Sequence, residues 1–133
     1  MKLRLLTLFA SLCFITGCDI TSEDSNNCFS SYAMATTGVT GPDTTTVNTP
    51  IVLNVTYFVA SSCGVFNNFV TSTTGNTTSI VVQVDYNGCN CNQTPGSGTK
   101  PYTFTATAPG TYQLKFLTDN IQTPIIRTIT VTE

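Results

Sequence analysis

Six cysteines hold most of the reactive chemistry in this chain of 133 residues. Cys13 and Cys18 lie in the N-terminal segment, and Cys28, Cys63, Cys89 and Cys91 lie beyond it. An even set of four in an exported chain implies two disulfides, with three possible connectivities. A bridge between Cys89 and Cys91 would close a very small, strained ring. Four thiolates could instead hold zinc, and Cys-x-Cys suits copper(I). Zinc sites more often show two-residue spacing, and oxidation outside the cytoplasm competes with thiolate ligation. Disulfides are therefore the expected state, with metal binding as a weaker alternative and no cofactor expected.

The remaining side chains offer little for catalysis. The chain contains no His, which removes Ser-His-Asp and Cys-His sites. Seven carboxylates are scattered, three of them in the stretch 19–27. Asp43, Asp85 and Asp119 fall in or near different loops, and no motif joins them as a facing pair. Lone acids in turns usually bond to nearby backbone. Gly96-Ser97-Gly98 lacks the strand-turn-helix setting of a nucleophile elbow. An enzyme is not expected. Five basic residues give no patch for nucleic acid.

The candidate binding residues are aromatic. Tyr57, Phe58, Phe66 and Phe69 are more rings than one core face easily holds. An exposed ring beside Asn67 and Asn68 could stack on a sugar or meet a protein partner. The competing expectation is that these rings fill the core, since the chain has no Trp. Arg127 falls on an apolar parity and could snorkel from an edge strand or contact a partner.

The first residues carry an address. Lys2 and Arg4 precede an apolar run of 11 residues, Leu5 to Ile15, which is too short to span a bilayer. The run ends in Ile15-Thr16-Gly17-Cys18. This resembles a bacterial lipobox, although Leu is more usual where Ile15 stands. The resemblance implies cleavage before Cys18 and lipidation of that residue. Acyl chains there would hold the domain on a membrane, at about 0.8 kcal/mol per buried methylene. The expected division is a signal peptide at 1–17, a lipidated polar tether at 18–27 and one domain at 28–133. The acidic tether, DITSEDSNN, is similar to the surface-export signals of Bacteroidota lipoproteins. Asp19 directly after the Cys would instead suggest inner-membrane retention in enteric bacteria. Asp43-Thr44-Thr45 resembles the short motif that Bacteroidota O-glycosylate. The outer membrane or cell surface is the expected location.

The rest alternates with a period of two. Ile51, Leu53, Val55, Tyr57 and Val59 share a face, as do Ile80, Val82, Val84 and Tyr86. Tyr102, Phe104, Ala106 and Ala108 alternate with Thr, and Tyr112, Leu114 and Phe116 follow. Around Phe66 and Phe69 the phase breaks at Asn67-Asn68, which predicts a bulge. Thr makes up 27 of the residues and suits strands exposed on one face. About seven strands are predicted, near 29–36, 51–60, 65–72, 78–86, 101–108, 111–118 and 124–132. Turn residues such as Gly75-Asn76 and Pro109-Gly110 separate them. The segment Tyr102 to Phe116, YTFTATAPGTYQLKF, resembles the E-strand, corner and F-strand of bacterial immunoglobulin-like and fibronectin-like modules. The resemblance implies an antiparallel immunoglobulin-like β-sandwich in which the Tyr112 hydroxyl caps backbone at the sheet corner.

In an up-and-down reading of those strands, Cys28, Cys63 and the Cys89/Cys91 couple converge at one end. Cys28 and Cys63 are then each predicted to pair with one member of the couple. The function expected is a non-catalytic, membrane-anchored interaction module for an envelope protein. A glycan-binding domain using exposed aromatics is the alternative.

Overall fold

A computed structural model describes residues 28–120 and 122–133. The signal peptide, the tether and lipidation at Cys18 lie outside the described residues. Nine strands and no helix occur among those described, so no helix there is long and apolar enough to cross a membrane. The strands are β1 (Phe29–Met34), β2 (Thr36–Thr40), β3 (Thr44–Thr46), β4 (Ile51–Val59) and β5 (Gly64–Thr74). They continue with β6 (Thr77–Asn87), β7 (Gly96–Phe104), β8 (Gly110–Phe116) and β9 (Ile125–Thr132).

Two sheets enclose one core. The smaller has the order β2-β4-β7, and the larger runs β1-β6-β8-β9-β3 with β5 also paired to β6. Strand β6 holds the larger sheet together. β5 pairs with it along Thr77–Tyr86. Its opposite edge is divided between β8, beside Thr77–Ile80, and β1, beside Val82–Asn87. The alternation read from the sequence decides which side chains face inward. Leu53 and Val55 from one sheet meet Ile80, Val82, Val84, Leu114, Phe116 and Ile129 from the other, all fully buried. Each such side chain contributes about 1.5–3 kcal/mol relative to exposure.

The segment expected as one strand at 29–36 is two strands. The alternation runs on through Thr36, but the chain changes sheet at Ala35. There the Phe58 amide donates to the Ala35 carbonyl and the Thr36 amide to that of Leu117. β2 and β3 were not legible because they are Thr-rich and carry almost no apolar pattern. They exist by pairing with β4 and β9. β7 begins at Gly96 instead of residue 101, since Gly96-Ser97-Gly98 pairs with Val59-Phe58-Tyr57. Gly is required at 98, because a Cβ there would collide with the Tyr57 ring. Ala106 and Ala108 lie past the end of β7, although Ala106 is buried. The purely antiparallel expectation is also corrected. β6 runs parallel to β8, because the two are joined through β7 of the other sheet, and β3 runs parallel to β9, from which five strands separate it in sequence.

Two details follow the sequence reading closely. The register of β5 shifts between Phe66 and Asn68, so Asn67 is the bulged residue. The Tyr112 hydroxyl donates to the Ala108 carbonyl at 2.9 Å, across the Pro109-Gly110 corner. Gly110 has φ of 150°, a conformation that side chains rarely adopt.

Candidate functional site

All four described cysteines gather at one end. Cys28 is bonded to Cys89 and Cys63 to Cys91. Each of the two distant cysteines thus takes one member of the couple. The Gly88 amide donates to the Cys28 carbonyl at 2.9 Å, which continues the β1–β6 ladder by one pair. Gly88 has φ of 137°, and a Cβ on it would lie 3.2 Å from the Cys63 sulfur. At the same end the Tyr86 hydroxyl accepts the Ala60 amide at 2.9 Å. Both bridges engage every sulfur of the set, which leaves Cys-x-Cys no thiolate to give a metal.

The proposed aromatic contacts separate into two groups. Phe66 and Phe69 both turn inward, because the extra residue Asn67 restores the parity between them. They belong to a chain of tilted and edge-on ring contacts running Tyr57, Phe66, Phe69, Tyr102, Phe116, with centroids 4.9–5.9 Å apart. Such contacts stabilise by about 0.5–1.5 kcal/mol each beyond area burial. These rings fill the core edge in place of a Trp and are not a free binding face. Lys100 sits 5.7 Å above the Phe66 ring, a contact that sequence spacing did not signal. Phe58 is different. It lies on the outer parity of β4 in the smaller sheet and keeps 38% of its surface exposed. The structure therefore does not bring Phe58 together with Phe66, Asn67, Asn68 and Phe69.

Asn67 belongs to a polar cluster on the outer face of the larger sheet. Its amide donates to Asp85 Oδ2 at 2.8 Å, and Ser31 Oγ donates to Asp85 Oδ1 at 2.6 Å. Gln83 donates in turn to Ser31. The Ser31 bond first, and the Asn67 bond second, hold the Asp85 carboxyl below its ordinary pKa. Such a carboxylate is a fixed acceptor and not a proton carrier at neutral pH. Asn68 is exposed opposite Gln83.

Arg127 lies on β9, whose far side β3 covers only along Thr130–Thr132, so at Arg127 that side has no paired strand among the described residues. Its guanidinium donates to the Gly41 carbonyl at 2.7 Å, while its Nε is buried without a partner. The side chain ties the segment before β3 to the sheet, so its role is a structural stitch. In the Asp43-Thr44-Thr45 stretch, the Asp43 carbonyl accepts the Thr130 amide and Thr45 Oγ1 donates to Thr49 O.

Phe58 borders a cavity of about 510 Å³ where the chain crosses between the sheets. Ala35, Thr36, Thr37, Asp119 and Ile125 contribute to its walls, with Thr118 from the β8–β9 connection. Thr36 is only 2% exposed, and its hydroxyl has no hydrogen-bond partner. A buried hydroxyl left unpaired costs about 1–3 kcal/mol. Asp119 is exposed and makes no hydrogen bond among the described residues. Sequence reasoning missed this grouping because its members are contributed by four separate segments.

No family model, no curated protein and no solved structure matches the chain.

Proposed function

We propose that this protein is a lipid-anchored envelope lipoprotein carrying one immunoglobulin-like β-sandwich, and that it acts as a non-catalytic interaction module. The observation that carries this reading is the placement of its two ends. The described chain enters at Cys28, in the doubly bridged end, so a tether from Cys18 would lead directly into the most constrained part of the domain. The Gly75-Asn76 and Pro109-Gly110 turns meet at another place, where the Gln113 amide donates to Asn76 O and the Asn76 amide to Thr111 O. An anchored domain of this kind holds its bridged end toward the membrane and presents those turns outward. The tether, lipid and loops then divide the work of location and recognition.

The immunoglobulin-like assignment is supported by the Tyr112 corner, whose hydroxyl bonds to backbone four residues upstream. The parallel pairing of β6 with β8 departs from two purely antiparallel sheets, so the domain would be a variant of that architecture.

Labelled palmitate supplied to cells should enter the wild-type protein and not Cys18→Ala. Mild-detergent capture of the lipidated protein from its own envelope should then bring down a stoichiometric protein partner. Absence of label in the wild type would sink the anchor. An empty capture would move the reading to glycan binding. That second reading is favoured by one observation, the exposed Phe58 ring in the same cavity as Asp119, whose carboxylate has no hydrogen bond among the described residues.

A further inference from the structure

The geometry points to the cavity beside Phe58 as a binding site for a pyranose-sized saccharide. This deepens the glycan-binding reading above and is independent of the lipid anchor. Two features argue for that chemistry. The Phe58 ring is 38% exposed at the rim, offering a negative π face to the weakly positive C–H groups of a sugar ring. Asp119 presents a carboxylate with no other hydrogen bond among the described residues, and a carboxylate accepts two neighbouring hydroxyls at once. The Thr36 hydroxyl lies behind this wall, sealed from solvent, and takes no part in the ligand contact.

The same features exclude other small ligands of this size. Among the described residues Asp119 is the sole ionisable side chain lining the cavity, so phosphates and carboxylates meet repulsion and no cation. One ring does not make the aromatic cage that a quaternary ammonium needs. The volume of about 510 Å³ suits one or two sugar units, since ligand pockets commonly run from about 300 to 1,000 Å³. The Phe58 amide donates a hydrogen bond to the Ala35 carbonyl, which fixes the backbone that carries the ring.

The test is saturation-transfer NMR with the full chain in a detergent free of sugar headgroups. Cellobiose, N,N′-diacetylchitobiose and maltose are the probes, with tetramethylammonium as the contrasting cation. At least one saccharide should receive saturation at its ring protons. Its affinity should fall by about tenfold or more in Asp119→Asn and become unmeasurable in Phe58→Ala. Thr36→Val keeps the volume and removes the orphan hydroxyl. It should leave saccharide binding unchanged and the fold at least as stable, and thermal melts of all three variants confirm that they remain folded. The proposal is overturned by the absence of saturation transfer from every saccharide, by binding that survives both Asp119→Asn and Phe58→Ala, or by binding of tetramethylammonium in place of sugars. If no saccharide binds while envelope capture yields a protein partner, this site fails and the interaction-module reading stands.

Discussion

The two disulfides should contribute unequally, and their interleaving sets the order. Cys28–Cys89 spans 61 residues and Cys63–Cys91 spans 28, and the two loops overlap. Each bridge must therefore be valued with the other present. With Cys63–Cys91 closed, the shortest unfolded path between Cys28 and Cys89 runs through that bridge and is about 37 residues long. Closing it restricts the unfolded chain by about 3.8 kcal/mol. With Cys28–Cys89 closed, two paths run in parallel between Cys63 and Cys91, equivalent to a single loop of about 17 residues. That closure is worth about 3.1 kcal/mol. Urea unfolding of the Cys28→Ser/Cys89→Ser and Cys63→Ser/Cys91→Ser pairs, with Cys13 and Cys18 also replaced by Ser, measures both. The first pair should be the less stable by about 0.7 kcal/mol, or about 3 °C in Tm for a domain of this size. A second readout is local. Loss of Cys28–Cys89 should release β1, so hydrogen exchange at Tyr32 and Met34 should accelerate in that variant alone. Greater destabilisation from losing Cys63–Cys91 would refute the chain-entropy reasoning.

Other expected outcomes follow from single groups. Tyr112→Phe removes the bond to Ala108 O at the sheet corner and should cost about 1 kcal/mol in urea unfolding, with no change in far-UV CD; an unchanged midpoint would show that the corner is held by packing alone. Deleting Asn67 removes the bulge and leaves Phe66 and Phe69 both facing inward, so the domain should still fold. The urea midpoint should fall modestly, chiefly from the lost bond to Asp85, and unfolding on deletion would disprove the assigned register. The same deletion straightens β5, an uncharged strand of 11 residues whose other edge is unpaired among the described residues, so light scattering should rise with concentration. Burial raises the pKa of Tyr102 above 10.0, and burial followed by Tyr86 raises that of Tyr57. The raised folded-state values favour the neutral phenols, so this stability is fully present below pH 10 and is lost as pH rises through the folded values. Alkaline melts should show a decline in that window that Tyr102→Phe reduces; an unchanged decline would remove Tyr102 as its source.

Much of the fold could be read in advance where burial on one face imposed alternation. β4, β6, β8 and β9 were legible because Leu53, Val82, Leu114, Ile129 and their neighbours repeat every second residue. The bulge was legible because Asn67-Asn68 broke that parity between two rings. β2 and β3 were hidden because Thr-Thr-Gly-Val-Thr and Thr-Thr-Thr carry no such contrast. Of the candidate residues, the four cysteines converged as topology required. Phe66 and Phe69 went to the core, Arg127 to a backbone carbonyl, and Phe58 alone of the rings proposed for binding stayed open.

The sequence by itself determined the all-β class, the inward face of the main strands, the bulge, the corner tyrosine and the pairing of two remote cysteines with a close couple. The class, the inward faces and the bulge depend on neighbours within a few residues, the corner tyrosine on the resemblance carried by the segment from Tyr102 to Phe116, and the cysteine pairing on an up-and-down order of the predicted strands. Tertiary structure alone decided that β6 lies parallel to β8, that the chain changes sheet at Ala35, and which cysteine takes which partner. It also decided that Thr36, Phe58 and Asp119 border one cavity. The physical reason is that period-two alternation specifies which face a side chain occupies but carries no information about which strand lies beside it. Strand order depends on how the sheets close over their shared core, and so does any site assembled from segments far apart in the chain.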